Sequence, residues 1–502
     1  VLLGLTSAAR ADILTRAWDQ AGGGGSLSPT ASDDLTAWAG EPKPASLGEL
    51  LQSAIANAPT LANARLDIAI AEAQIGETLE RHAWKVSATA NGNRTISAFV
   101  GQSVSSSAYG FTGDIGRALP TGGTIDLHVA SNYSKYTSAV LGSSELWQDQ
   151  VVVQLTQPLF KGRGQWLYDA YEHKATLAHD AAALGRRLAA INTVESVIAA
   201  YWDLVLAERQ VAITEQSLQL ARERLRVTQI GAEGGKIAKA EIPAVEQIIA
   251  TREEDVLNGE LNVLNASIAL RRAAGMPIGP GNLGLRIATD LDIRDRDTTL
   301  SPLVEKTYAA SPELAQLAKQ DAADTIDIEV NDNGLLPQLD ATLSLGPTGQ
   351  EGSFSGAASD TGQFKNVTVA GQLTFSRSLS QYDVKYKSRE LRAVREKVRV
   401  NAFDVRAQLA QGISRAAAAL ELAKRRVVLS SQAIELAKEN IRIETDRFNL
   451  GTRTNFDVLN RLEDLRQAEL RQAQAQIDWH KAENVVQALT GDLLQAYGIT
   501  VE

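Results

Sequence analysis

Apolar residues return at every seventh position through one long stretch of the chain: Ile413, Leu420, Val427, Ile434, Ile441 and Phe448. Small residues follow three places on, at Ala416, Ala423, Ser430 and Ala437. Large and small side chains alternating in this way form a coiled-coil seam. A second stripe has the same period: Leu422, Leu429, Leu436, Ile443 and Leu450. An earlier stretch carries both stripes, as Val197, Leu204, Val211, Leu218 and Leu225 and as Leu206, Ile213, Leu220 and Val227. Two positions on a helix lie about 200° apart, so each helix is apolar on nearly opposite flanks. A two-stranded coiled coil needs one seam. Two seams imply a neighbour on each side, and repeated round a circle they close a tube of helices. A long antiparallel bundle or rod satisfies the same periodicity, and both architectures stay open at this point.

The period switches to two along residues 84–158 and 337–378, where Ser, Thr, Gly and aromatics alternate with apolar residues. HVASNYSKY, QVVVQLTQ, QLDATLSLG and NVTVAGQLTFS are examples, and such alternation reads as strand. The order of elements then occurs twice. Residues 47–276 hold a helix, strands over 84–158, a long helix over 163–232 and a shorter one over 236–274. Residues 277–301, with Pro277 and Pro280, form a linker. Residues 302–492 hold a helix, strands over 337–378, a long helix over 380–449 and a shorter one over 453–490. Anchors agree in spacing: Ala58-Pro59 with Ser311-Pro312, Trp84-Lys85-Val86 with Pro337-Gln338-Leu339, and Gly235 with Gly451. This is an internal duplication. Its long helices would each be roughly 100 Å at 1.5 Å per residue.

The strand blocks differ in length. The first has room for segments near 84–100, 107–118, 122–137 and 146–158, with Leu119-Pro120-Thr121-Gly122-Gly123 as a turn between the middle pair. The second reads as one hairpin. In water such strands would make a small sandwich; in a membrane they must close into a barrel. Trp84, Phe99, Tyr109, Phe111, Tyr133, Tyr136 and Trp147 are candidates for aromatic girdles at a membrane interface.

The ends are distinct. Residues 1–11 read as the tail of a secretory signal, with Ala9-Arg10-Ala11 as its cleavage pattern. Residues 12–46 contain AGGGGS and EPKP and read as an extended arm. Residues 493–502 form a tail. No other segment is expected to supply the roughly 18 apolar residues of a membrane-spanning helix.

Composition narrows the chemistry. Cysteine is absent, which excludes disulfides and thiol catalysis. The five histidines, His82, His128, His173, His179 and His480, have no metal-ligand spacing, and a single Met excludes a Met-rich site. A net charge of -10 disfavours nucleic acid as a partner. Gly231 to Lys236 resembles a phosphate loop but lacks its spacing and lies between helices. No cofactor, metal or catalytic residue is expected. One alternative is a soluble or secreted coiled-coil scaffold or adaptor with small β domains.

The turn after the second long helix reads Arg447-Phe448-Asn449-Leu450-Gly451-Thr452-Arg453-Thr454-Asn455-Phe456-Asp457-Val458-Leu459. An aromatic followed by x-x-G-T-R-T-x-x-D-V-L resembles a signature of the TolC-like outer-membrane efflux and secretion channels. Gln157-Pro158-Leu159-Phe160, at the first strand-to-helix junction, adds to the resemblance, which spans residues 47–492. It implies a homotrimer of mixed α and β structure: an internally duplicated α-helical barrel, a coiled-coil tube, joined to a shared transmembrane β-barrel. It further implies passive export through the outer membrane of a Gram-negative bacterium. The tube stands in the periplasm, and an inner-membrane transporter and a periplasmic adaptor supply the cargo. Outer-membrane lipid is the remaining partner.

The resemblance also implies closure at the periplasmic helix tips. Matched residue by residue, the tip aromatic is Phe448, where better-known members have Tyr; the tip arginine is Arg453; and Asp457 is the first acid of the constriction. The second acid falls at Asn460, a departure that removes one charge per protomer. Glu241 stands six after Gly235 as Asp457 stands six after Gly451. Gly231, Gly234, Gly235, Gly451 and Thr452 make the tip turns. A carboxylate ring in an aperture attracts cations, and an adjacent arginine can latch it. Equally, Arg453 and Asp457 can simply cap the turn and begin the returning helix. At the second junction Ser378 stands where a proline matching Pro158 is expected. The family default, four strands per protomer and twelve per trimer, is the favoured expectation; six and eighteen is the alternative.

Overall fold

The computed structural model describes residues 42–99, 102–138, 142–235, 237–294 and 296–500. The signal-like residues 1–11, the arm up to residue 41, Lys236 and the last two residues lie outside the described residues, as does the side chain of Phe99. After a short extended pair, Lys43–Pro44 against Leu285–Arg286, come helices α1 (Leu47–Asn57) and α2 (Pro59–Thr78). Strands β1 (Lys85–Phe99), β2 (Gln102–Ala118), β3 (Thr124–Ser138) and β4 (Gly142–Pro158) follow, then α3 (Gln165–Glu233) and α4 (Ile242–Ala273). The second half holds α5 (Leu300–Ala310), α6 (Pro312–Asn333), β5 (Gln338–Glu351), α7 (Phe354–Gly362), β6 (Asn366–Ser376), α8 (Tyr382–Asn449) and α9 (Asn455–Leu489). The short helix α7 is a departure from the hairpin expected over 337–378. Ser353 caps it by accepting the Gly356 N–H at 3.3 Å.

These elements make two compact units. One comprises the residues up to Ala56, Val197–Asp292 and Arg426–Ile477; the other comprises Asn57–Ser196, Ile293–Arg425 and the residues from Asp478 on.

In the second unit six strands form one sheet, in which each pairs antiparallel with the next along the chain. The four segments read over 84–158 and the two strands of the second block all join it. All of the first block enters the sheet, with no hairpin left aside as an elaboration. The register runs unbroken from Val104↔Ser138 to Ala118↔Thr124 between β2 and β3. At one place strands come unusually close. A Cβ at Gly346 would lie 1.9 Å from the Val151 carbonyl oxygen, so only glycine fits there.

Cross-strand partners share a face, so the register sorts every side chain. One face carries Val86, Ala88 and Ala90 on β1, Phe111 and Ile115 on β2, and Ile125, Leu127 and Val129 on β3. It continues through Val151, Val153 and Leu155 on β4, Leu339, Leu343 and Leu345 on β5, and Val367, Val369, Leu373 and Phe375 on β6. The opposite face carries Ser87, Thr89, Asn91, Asp114, Asp126, His128, Gln150, Gln154, Thr342, Gln372 and Thr374. The apolar face is open: Val86, Val369, Leu373 and Phe375 are 64–73% exposed. Asp149 interrupts it but is buried. Its carboxylate accepts the Ser131 hydroxyl at 2.6 Å, and its backbone carbonyl accepts Thr361 of α7 at 3.2 Å.

The heptad stripes have different fates. Ile413, Leu420, Val427 and Ile434 are buried, and so are Ala416, Ala423 and Ala437. In the second unit Leu420 and Ala423 of α8 pack on Trp479 and Ala482 of α9, while Ile413 and Ala416 pack on Val486. The second stripe has no cover among the described residues: Leu422, Leu429, Leu436 and Leu450 are 59–78% exposed. The double seam also makes α3 apolar. One stretch of it is long and apolar enough to cross a membrane, contrary to expectation, but 56% of that stretch is buried against the protein itself.

Trp479 is the largest fully buried side chain. Trp479→Ala should destabilise the α8–α9 pair by about 3–5 kcal/mol, because the cavity cannot collapse between rigid helices. Urea unfolding followed by circular dichroism measures it.

Candidate functional site

The helix turns of the first unit are built from backbone geometry. Gly451, at φ 74°, follows α8. Its N–H donates to the Phe448 carbonyl at 2.9 Å, and the Thr452 N–H donates to that of Arg447 at 3.0 Å. These two bonds make a Schellman cap, whose left-handed residue is best filled by glycine. Gly235, at φ 72°, closes α3 with the equivalent of the first bond, its N–H donating to the Ala232 carbonyl at 3.2 Å. Gly231 is small for another reason: a Cβ there would meet Ile237 at 2.4 Å.

Asp457 begins the return. The Thr454 N–H and hydroxyl donate to its carboxylate at 3.0 and 2.9 Å, and its own N–H donates back to the Thr454 hydroxyl at 3.4 Å. That reciprocity is a capping box. The bonds from Thr454 hold the Asp457 carboxyl below the usual carboxylate range, helped by the charges of Arg453 and Arg461. Arg453 pairs elsewhere. Its Nε lies 3.2 Å from the buried Glu444, which Arg447 also approaches at 3.6 Å. Asn460 is exposed on α9.

Phe448 has a partner that sequence reading missed. The Arg224 guanidinium of α3 stacks on its ring, 4.1 Å from the centroid. Arg224 Nε also donates to Asn455 Oδ1, and Asn455 Nδ2 donates to the buried Thr228 hydroxyl at 2.8 Å. The two repeats are therefore joined at their tips by a guanidinium, a ring and an amide. Glu241 faces this group: its charge opposes the effect of burial, which pulls Arg224 below its ordinary value. Arg224 Nη2 and Glu241 Oε2 are both buried without a hydrogen-bond partner. No heptad rule could single out Arg224, Thr228, Asn455 or Glu444, because each acts through a residue distant in sequence or on the next turn.

Deeper in this unit Arg252 of α4 pairs with Glu463 of α9, which also accepts Arg466 at 2.8 Å. Burial alone would raise the Glu463 carboxyl. Hydrogen bonds from Arg466 and Gln467 and the charges of Arg466 and Arg252 reverse this and lower it to about 2.

In the sheet the aromatic candidates divide. Tyr109, Tyr133 and Trp147 stand opposite one another on the apolar face, with centroids 6.2 and 4.9 Å apart, and Phe354 of α7 extends the row at 5.3 Å. Past this row the same face turns polar, with Arg94, Ser107, Lys135 and Glu145. Phe111 lies inside the band. Trp84 borders its other end, under the Arg117 guanidinium. Tyr136 is a correction. It pairs with Ser106 and Ser144 and so falls on the polar face, one residue out of phase with the row.

At the junctions Pro158 ends β4 opposite Asp340. Gly162 and Gly164, at φ 86° and 111°, then turn the chain into α3. Ser378 does what proline could not: its hydroxyl accepts the Gln381 N–H at 3.4 Å before α8 begins. Among the described residues one group has metal-ligand spacing, His82, Asp169 and Glu172, all within 4.8 Å of one another. Tyr168 Oη meets His82 Nδ1 at 2.9 Å there, tying the entrance of β1 to α3.

The outer membrane efflux protein family matches residues 50–276, the first repeat. Nodulation protein T of Rhizobium leguminosarum bv. trifolii is 20% identical over 349 residues, 65% of this chain and 70% of that protein. The outer membrane efflux protein BepC of Brucella suis biovar 1 is 22% identical over 290 residues, 57% of this chain and 60% of that one. The crystal structure of the outer membrane protein VceC from Vibrio cholerae superposes with a TM-score of 0.65 at 13% identity, covering 89% of this chain and 96% of that one.

The Glu463 cluster has a definite pH signature. A carboxyl lowered on folding stabilises fully above its unfolded value near ~4.3, and the contribution fades as pH falls toward about 2. Hydrogen exchange of α4 and α9 should accelerate across that window. Glu463→Gln should flatten the acid dependence and cost about 2 kcal/mol at neutral pH, since it removes the charge partner of Arg466 and leaves the partly buried Arg252 with Asp255 alone.

Proposed function

We infer that this chain, which resembles the TolC-like outer-membrane efflux and secretion channels in sequence and in fold, is one protomer of a homotrimeric export duct. The observation that carries the reading is the two-faced sheet. From Trp84 to the Tyr109 row its outer face is apolar on all six strands apart from the covered Asp149 and Ser131, and beyond the row β1 to β4 turn polar and charged. Nine residues of strand tilted by about 40° span about 20 Å, close to the apolar band of a transmembrane barrel. A soluble scaffold would leave that face, with Val369, Leu373 and Phe375, in water. The sheet edges at β1 and β6 need partners in hydrocarbon, and copies of the same chain supply them. The exposed second stripe of α8 and α3 likewise meets neighbouring helices, which closes a periplasmic tube.

Conduction is passive, and the chemistry of the duct concentrates at the tips. In each protomer Arg453 holds Glu444, and Arg224 clasps Phe448 and Asn455. Opening moves the second-repeat tip away from the first and breaks that clasp. Asp457 and Glu241 repeat around the symmetry axis as an acidic constriction, with Asn460 contributing no charge. A periplasmic adaptor engages the tips, and an inner-membrane transporter delivers the cargo.

Fractionation tests the location: the protein should sediment with outer membranes and conduct ions in a planar bilayer. A soluble, non-conducting product rejects the duct. Leu373→Arg, on the lipid face, should cost about 2–4 kcal/mol of folding stability, whereas Gln372→Arg, on the polar face, should be nearly neutral. Arg224→Ala and Arg453→Ala should raise conductance, and Asp457→Asn should weaken cation preference. Unchanged conductance and selectivity in all three reject the gate and leave the duct standing.

A further inference from the structure

We propose that the membrane barrel of this protein has eighteen strands, six from each of three copies, and is therefore a wide-bore exit. The proposal rests on the duct reading above and deepens it. Its basis is the hairpin of β1 and β2. Were that hairpin an elaboration outside the membrane, water would face both its sides and the apolar alternation would have no purpose. Instead Val86, Ala88, Ala90, Phe111 and Ile115 continue the apolar face of β3 to β6. Val86, Phe111 and Ile115 are exposed on the single chain, as lipid-facing side chains must be. The band ends at matching levels too. Tyr109 of β2 stands in the row with Tyr133 and Trp147, and Trp84 borders the opposite end. Removing the hairpin from the wall would break the whole β2–β3 ladder and expose the edge of β3.

Six strands cannot close alone, since the smallest transmembrane barrels have eight. An even number does suit head-to-tail assembly. The strands alternate in direction, so β6 of one copy runs antiparallel to β1 of the next. Both strands lie at a free edge, and both expose apolar side chains up to that edge. With strands about 4.8 Å apart and tilted by about 40°, twelve strands give a backbone radius of about 12 Å and eighteen about 18 Å. The lumen cross-section about doubles. Its wall is polar, with the neutral Asn91, Asn93, Gln150, Gln154 and Gln372 beside the charged Lys85, Asp114, Asp126 and Asp340, which suits bulky polar cargo.

Absence of cysteine makes the test clean. Double variants join Leu373→Cys on β6 with Val86→Cys, Ala88→Cys or Ala90→Cys on β1, all on the lipid face. A second set joins Leu373→Cys with Ile125→Cys or Leu127→Cys on β3. Native mass spectrometry of the detergent-extracted protein counts the copies. Oxidation should link the first set into reducible species of up to three chains and leave the second set unlinked. Linkage in the second set alone overturns the proposal, because β3 then meets the neighbour and the barrel has twelve strands. Failure of both sets in a conducting trimer overturns it as well. A non-conducting monomer instead rejects the duct reading on which it rests.

Discussion

A backbone amide in hydrocarbon has no water to turn to, and the rest of this molecule is organised around that constraint. A sheet satisfies it internally but leaves two edges, here β1 and β6. In a soluble protein such edges would be blunted by charge, proline or a covering helix. Neither edge is treated so: β6 is exposed along its whole length and presents Val367, Val369, Leu373 and Phe375 outward. The chain is built as an unfinished surface, and in the duct proposed above neighbouring copies supply the missing hydrogen bonds. Asp149 illustrates the same economy. An acid on the apolar face survives only because Ser131 and α7 cover it.

The helices obey a weaker version of the rule. Each long helix has two seams, and the chain fills one. Leu420 and Ala423 find Trp479 and Ala482, while Leu422, Leu429 and Leu436 stay exposed among the described residues. An unfilled seam in water costs roughly 25 cal/mol per Å² of apolar surface. That cost is a driving force for closure by neighbours. Sheet and helices thus call for partners for different physical reasons, hydrogen bonding in one and apolar burial in the other, and the oligomer proposed above answers both.

Periodicity made the elements legible. Heptads announced the long helices and alternation announced the strands, because both report which faces are buried. Strand number was harder to read. The resemblance favoured four strands, yet the length of residues 84–158 already pointed to more, and the register admits six. Tyr136 was misassigned because composition ignores phase: one residue shifts a side chain to the other face. The helix α7 was hidden in a strand-like block, because FSGAASDTG has no stripe long enough to reveal a helix. At the tip the glycines and Asp457 could be read from local chemistry. Arg224 could not, since its partners Phe448 and Asn455 lie more than two hundred residues away.

The tip is where the duplication has stopped being symmetric. Gly235 and Gly451 close their helices with the same left-handed geometry, so the turn itself is inherited twice. The side chains around it are not. The second tip is tightly bonded within itself, through Arg453 to Glu444 and Thr454 to Asp457. The first contributes Arg224, and near it Glu241 keeps one carboxylate oxygen and Arg224 one nitrogen buried and unbonded. A buried polar atom without a partner costs about 1–3 kcal/mol, whereas Asp457 and Arg453 are already satisfied. The imbalance makes the first tip the electrostatically incomplete partner and the second the self-contained one. Motion between them therefore has little to lose inside the second tip. Most of its resistance comes from the Arg224 stack on Phe448 and the bond to Asn455. In the gate proposed above, a contact made of one guanidinium, one ring and one amide would be strong enough to hold a closed state and small enough for a docking partner to release.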